Sequence, residues 1–455
     1  MKKLAKFEKL WLAAPVAIWF SFQPLIRLGQ DETMYFELSL TLLYVAVLAG
    51  FAIPIVWQQR RALLTNKAAI LAASFVAVLA LSLLWTPNIT RGVLTLGVAG
   101  LLLLILLASI ARAEQLRRLI PTLTKVFFIS AVVVAILAVV QLIAGMWVDR
   151  EVALLCAGCV AEQFGFVRPN VFTIEPQFLG SMLIAPALLG IWLLLKDKLT
   201  ILATSGLLLI LVALFLTLSR GAIFAFAIGL LILLIATRTN IARHLRAIGL
   251  VVAGFALCLV LQGLAAASHP TINETFAGAV SSSVDQLSLG LIDIPVDQQI
   301  PQNQAGTDVV ETPKYDGYVE ESTNVRLSLS AMALTIWSAD PLRVLFGVGI
   351  GGAGVALSQA FPEEIGAREI VQNEYLSLLL EVGLVGLALF VALLGVLLYR
   401  LGRIGAWWGV AIMVAFIAQW NFFSGYPNAL HIYLVLIFFA VYAITAHRGR
   451  STPAK

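Results

Sequence analysis

The sequence predicts an all-α polytopic membrane protein of about twelve transmembrane helices, with a large extracytoplasmic loop containing interfacial helices. Three observations predict it. Of 455 residues, 60% are hydrophobic and only 12% are charged, whereas a soluble domain is about half apolar and a quarter charged. Apolar stretches of roughly 20 residues, the length that crosses about 30 Å of hydrocarbon, recur along the chain. The charges between them change in kind from one seam to the next. Soluble enzyme folds, disordered scaffolds and secreted disulfide scaffolds are excluded.

In chain order the apolar stretches are 10–28, 35–57, 68–86, 93–111, 120–147, 178–195, 199–218, 221–237, 247–267, 376–399, 405–423 and 428–446. The seams Lys196–Lys198 and Ser219–Gly221 are so short that their flanking helices must be antiparallel hairpins. This divides the chain into nine spans in 1–267, a loop over 268–375, and three spans in 376–455. With a cytoplasmic amino terminus, only nine of the 30 Lys and Arg residues lie outside: Arg27, Arg91, Arg150, Arg168, Arg220, Lys314, Arg326, Arg343 and Arg368. Of the 25 acids, Glu8, Glu114 and Asp197 alone lie inside. The positive-inside rule therefore predicts both termini in the cytoplasm. The amino-terminal basic and apolar run has no small-residue cleavage site before Asp31-Glu32, which predicts a retained span rather than a cleaved signal peptide. There is no fixed-period repeat and no trace of the inverted halves common in secondary transporters.

The cytoplasmic loops are too short for a nucleotide site and contain no Walker-type loop. Gly347-Val348-Gly349-Ile350-Gly351-Gly352 matches G-x-G-x-x-G, but no βαβ unit surrounds it, and a tight backbone turn near the membrane surface is the expectation. The outside segment 148–177 carries Cys156 and Cys159, then Phe166-Val167-Arg168-Pro169-Asn170, and ends near Glu175-Pro176. The two cysteines could form a disulfide across a tight turn in an oxidising compartment; free thiols or a metal site are the alternatives. Cys258 is expected to be packing. The segment 281–321 has eight acids and one basic residue, Lys314, which predicts a mobile acidic insertion. Over 322–339, Val325, Leu327, Leu329, Met332, Leu334 and Ile336 recur at helical spacing, predicting a helix on or in the outer leaflet.

Three arginines stand beside membrane boundaries on a predominantly acidic outer side: Arg168, Arg220 and Arg326. A guanidinium at mid-bilayer costs about 2.5 kcal/mol or more, so its position needs a reason. Planar bidentate donors suit phosphate oxygens. Snorkelling to headgroups, or pairing with outer acids, is the plainer reading of each alone. His244 and His447 are expected to be solvated, and His269 and His431 structural.

From Ser322 to Phe390 the chain resembles the O-antigen ligase/polymerase family of bacterial membrane proteins. The resemblance rests on Glu321-Ser322-Thr323-Asn324-Val325-Arg326, Asp340-Pro341 and Phe346-Gly347-Val348-Gly349. It continues through Gln372-Asn373-Glu374-Tyr375-Leu376 and Glu381-Val382-Gly383-Leu384-Val385-Gly386. Upstream, Arg168-Pro169-Asn170 and Thr217-Leu218-Ser219-Arg220-Gly221 are similar to family features.

The resemblance implies a glycosyltransferase-like enzyme at the outer face of the bacterial cytoplasmic membrane, acting on a polyprenyl-diphosphate-linked oligosaccharide. Such a donor is already activated, so no nucleotide or metal cofactor is expected, and no nucleic-acid partner. Arg220 and Arg326, with Arg168 third, are the expected diphosphate ligands, since preorganised cations stabilise charge developing on the leaving group. Ligases of the family carry histidine before the Asn; here that position is Gln372, which takes no proton at neutral pH. This favours a polymerase, with a lipid-linked glycan as acceptor, over a ligase acting on lipid A core or protein. Glu374 and Glu381 become the substitute candidates for a base. A lipid-linked glycan transporter, or a non-catalytic assembly partner, is the competing class.

Overall fold

A computed structural model describes residues 4–22, 24–28, 36–147, 161–163, 166–237, 241–268, 284, 318–363, 365–367, 369–424 and 429–450. The described chain is predominantly helical. Six helices are long and apolar enough to cross a membrane: Leu40–Leu63, Ile89–Ala111, Ile120–Gly145, Pro176–Leu195, Ile241–Ala265 and Glu374–Arg403. Shorter apolar helices lie at Lys67–Ser82, Ile201–Leu216, Arg220–Ala236, Val325–Ser338, Trp407–Gln419 and Leu430–Ile444. Each expected apolar stretch after the first contains at least part of one of these helices. Some stop short of the stretch that predicts them because the apolar run ends in tighter turns. After Lys67–Ser82, for example, the amides of Leu83, Leu84 and Trp85 bond three residues back, to Ala80, Leu81 and Ser82.

The first stretch, 10–28, is not one helix. It forms Leu4–Trp11, Ala14–Ala17, a 3₁₀ turn at Ile18–Phe20 and a strand at Pro24–Leu28, paired antiparallel with Phe36–Ser39. Pro15 opens the second short helix, and a proline breaks a helix unless it stands in the first turn. Pro24 likewise excludes a continuing helix. Cys156, Cys159, His269 and nearly all of the acidic insertion 281–321 lie outside the described residues. The helix expected over 322–339 runs from Tyr318 to Ser338.

The Pro176–Leu195 helix is central. Seventy-eight per cent of its apolar window is buried, against 28–44% for the other five long helices. It packs against Ile201–Leu216, Arg220–Ala236 and Trp407–Gln419. Between helices in lipid the attraction comes from close packing rather than from expulsion of water, and small residues permit it. Gly180, Ser181, Ala185, Ala187 and Gly190 are all buried along this helix. A β-carbon on Gly180 would lie 2.9 Å from the Ala222 β-carbon and 3.0 Å from Thr217 Oγ1. That approach brings the start of the central helix against the Thr217–Arg220 seam.

Candidate functional site

A cavity of about 250 Å³ opens where these helices end together. It is lined by Arg168, Arg220, Arg326 and Gln372, with Glu175, Gln177 and Gln419 and the rings of Phe422 and Phe423. Four residues singled out by the sequence, distant from one another in the chain, meet on one wall system. The Pro176–Leu195 and Arg220–Ala236 helices both begin at this cavity, adding the partial positive charge of two helix starts to that of three guanidiniums.

Each arginine is held differently. Arg168 ends the strand Phe166–Arg168, which pairs antiparallel with Ala161–Gln163. It is buried, and its Nε and Nη2 donate to the Thr217 carbonyl at 3.0 and 2.7 Å. Thr217 closes the Ile201–Leu216 helix, so the guanidinium neutralises the negative end of that helix. The next residue, Leu218, takes φ +47°, an uncommon conformation for a non-glycine residue. It turns the chain sharply into Ser219, whose hydroxyl accepts from the Ala222 amide and starts the helix that carries Arg220 at its first position. Arg326 comes from the Tyr318–Ser338 helix; its Nε donates to Gln372 Oε1 at 2.8 Å and its Nη2 to Gln177 Oε1 at 3.4 Å.

The loop from Arg168 to Glu175 is tied down by Gln141, a lone amide buried in the Ile120–Trp147 helix. Gln141 Nε2 donates to Asn170 Oδ1 at 2.7 Å, and its Oε1 accepts the amides of Asn170 at 3.1 Å and Val171 at 2.9 Å. Val171 sits at φ +51°, costly for a β-branched residue, and these bonds hold it there. Gln141→Leu strands buried donors and is expected to cost about 1–3 kcal/mol, read as a lowered unfolding midpoint in detergent. An unchanged midpoint would remove Gln141 from this role.

The two acidic candidates are placed elsewhere. Glu374 is fully buried and turned into the bundle, accepting from Ser424 Oγ and Tyr433 Oη, both at 3.1 Å. Its neighbour Asn373 caps the Glu374–Arg403 helix, accepting the amides of Tyr375 at 3.0 Å and Leu376 at 3.1 Å. Glu381 accepts hydrogen bonds from the backbone amides of Gly351 and Ala353 and lies near Arg91. It clasps the glycine loop 347–352, whose Gly347, Gly349 and Gly351 have φ of +71°, +99° and +74°. Val348 and Gly349 donate to the carbonyls of Leu380 and Glu381 at 2.8 and 2.9 Å, beside a kink at Gly383 (φ +64°). The G-x-G-x-x-G pattern is thus a backbone turn seated in a bent helix. Neither carboxylate is among the residues lining the cavity.

His431 is buried and joined to the site at one remove: its Nε2 lies 2.9 Å from Ser181 Oγ, which donates to Gln419 Oε1 at 2.9 Å. Glu175, Gln177, Gln141 and Gln419 were not singled out from the sequence. A solitary polar side chain in an apolar span marks a buried partner, which points to Gln141 and Gln419. Only proximity in space points to Glu175 and Gln177. Among the described residues, no group of three or more His, Cys, Asp or Glu could hold a metal ion.

Residues 205–391 match the family model described as O-Antigen ligase. The matched stretch contains Arg220, Arg326 and Gln372; Arg168, Glu175 and Gln177 precede it. No curated protein matches the chain.

Proposed function

We propose that this chain, a member of the O-antigen ligase/polymerase family by its residues 205–391, is a polysaccharide polymerase. The family implies a glycosyltransferase-like enzyme with lipid-linked glycan substrates. In the proposed reaction a glycan leaves a polyprenyl-diphosphate carrier and joins a lipid-linked glycan acceptor, at the outer face of the cytoplasmic membrane. The observation that carries this reading is the convergence of Arg168, Arg220, Arg326 and Gln372 on one cavity.

As the bond between the anomeric carbon and the diphosphate oxygen breaks, negative charge grows on the leaving oxygens. Arg220 and Arg326 stand where they can meet it, and fixed cations cost no reorganisation at that moment. Arg168, with its guanidinium committed to Thr217, adds positive field from behind the first wall. Gln372 holds Arg326 Nε and so orients the guanidinium fork. A structural amide at the ligase's histidine position supports polymer growth over ligation.

The test uses the protein in nanodiscs, given the polyprenyl-diphosphate-linked oligosaccharide that accumulates in cells lacking it, with no second acceptor. The expected product is a ladder of lengthened glycans on a gel. A bound donor that stays one unit long would overturn polymerisation in favour of ligation to a separate acceptor. Absence of donor binding would overturn the whole reading in favour of transport or assembly.

A further inference from the structure

The polymerase reading leaves the acceptor's proton without a taker, because Gln372 cannot accept it. Among the described residues that line the cavity, the one carboxylate is Glu175. It stands immediately before the Pro176–Leu195 helix, with extended backbone (φ −143°, ψ 148°), and its side chain does not cap that helix. Its backbone is anchored instead: the carbonyl accepts from Thr173 Oγ1 at 2.7 Å and from the Phe178 amide at 3.1 Å. The carboxylate accepts a hydrogen bond from Gln177 Nε2. Gln177 Oε1 accepts from Arg326, and Arg326 donates to Gln372. Glu175, Gln177, Arg326 and Gln372 are therefore one hydrogen-bonded chain along the cavity wall, with a carboxylate at one end and the histidine-replacing amide at the other.

Building on the polymerase reading, we propose that Glu175 is the catalytic base that receives the proton of the acceptor hydroxyl. The acceptor oxygen bonds to the donor's anomeric carbon while its proton passes to the Glu175 carboxylate. The bond from that carbon to the diphosphate oxygen breaks, and its electron pair leaves with the lipid diphosphate, beside Arg220 and Arg326. Glu175 then returns the proton to water. The other charged groups lining the cavity are Arg168, Arg220 and Arg326, one from each of three separate elements. Glu175 keeps contact with solvent, yet desolvation by the protein packed around its carboxylate pushes its pKa upward from the ordinary value, against the lowering effects of the Gln177 hydrogen bond and the charges of Arg168 and Arg326. A raised pKa makes the ionised carboxylate a stronger base. Because the ionised form is the active one, the rate falls as pH drops through that raised pKa.

The experiment compares wild type, Glu175→Gln, Glu175→Asp, Arg326→Ala and the double variant Glu175→Gln/Gln372→His in nanodiscs. Donor binding and transfer rate are both followed, the rate from pH 4 to 9, using the same extracted donor. Glu175→Gln is expected to bind donor as wild type does, to transfer about 10²–10⁴-fold more slowly, and to lose the acid limb of the profile. Glu175→Asp should keep part of the rate. The double variant should regain part of it with a limb near the ordinary histidine value of about 6.5. A Glu175→Gln protein that keeps the wild-type rate and acid limb, while Arg326→Ala loses transfer, would overturn the base assignment and leave the diphosphate site standing. Wild type that neither binds donor nor transfers would overturn both.

Discussion

Arg326→Ala is expected to slow glycan transfer by about 10²–10³-fold, the usual consequence of removing one preorganised donor from a developing oxyanion. Arg220→Ala should do the same, and the double variant should lose less than the product of the two, because both act on one leaving group. Arg326→Lys keeps the charge but loses the planar fork that reaches Gln372 and Gln177 together, so its rate should fall between alanine and wild type. Arg168→Ala should behave differently. Its guanidinium makes two bonds to the carbonyl that closes the Ile201–Leu216 helix, and hydrogen bonds to a charged group are worth about 1.5–3 kcal/mol. A loss of thermal stability should therefore accompany any loss of rate. The measurement is the initial rate at saturating donor, with the unfolding midpoint followed in parallel. Arg220→Ala and Arg326→Ala proteins that transfer at near wild-type rates would sink the diphosphate clamp.

Gly347→Ala and Gly383→Ala are expected to destabilise the protein by about 3 kcal/mol or more, with recovery of folded material from detergent falling accordingly. A β-carbon on Gly347 would lie 2.4 Å from the carbonyl carbon and oxygen of Glu381; one on Gly383 would lie 2.3 Å from those of Leu345. Both intrusions meet backbone, which cannot turn aside as a side-chain end can. Both glycines combine positive φ with extended ψ (+71°, −168° and +64°, −167°), a region essentially closed to other residues that costs them about 1–3 kcal/mol. Overpacking adds about 1–3 kcal/mol, and separating the two strands of chain also breaks the Val348–Leu380 and Gly349–Glu381 hydrogen bonds. Gly395→Ala is the control: nothing lies within 4 Å of its added β-carbon, and alanine in a helix should be neutral or slightly stabilising. The readout is the midpoint of heat-induced loss of the monodisperse peak. A Gly347→Ala protein melting with wild type would remove the clasp from the account of this fold.

Much of the helical layout was legible because lipid simplifies the code. Backbone polar groups must be satisfied within each segment, so a long apolar run leaves helix as the available local structure. The exception, 10–28, shows the limit of hydropathy alone: Pro15 and Pro24 sit inside an apolar run and break it. The arginines were legible for the converse reason, since a charge beside hydrocarbon is costly and must be answered. Glu374 and Glu381 come from the family motif instead, which does not reveal their partners: Ser424 and Tyr433 for one and the glycine loop for the other. Glu175 gives no such warning, lying in a connecting loop immediately before a proline.

Residue order alone makes the chain an apolar helical protein, places most of its helices, and sets three arginines apart from the other charges. These follow from short-range rules: hydropathy, proline geometry and the cost of charge near lipid. Packing in three dimensions is what brings Arg168, Arg220, Arg326, Gln372 and Glu175 to one cavity and turns Glu374 and Glu381 to other partners. Which end of a helix meets which loop depends on side-chain packing across hundreds of residues, here on the close approach at Gly180 and the left-handed turns at Val171, Leu218 and Gly347. No local pattern encodes those meetings, because each is set by the fit between two surfaces far apart in the chain.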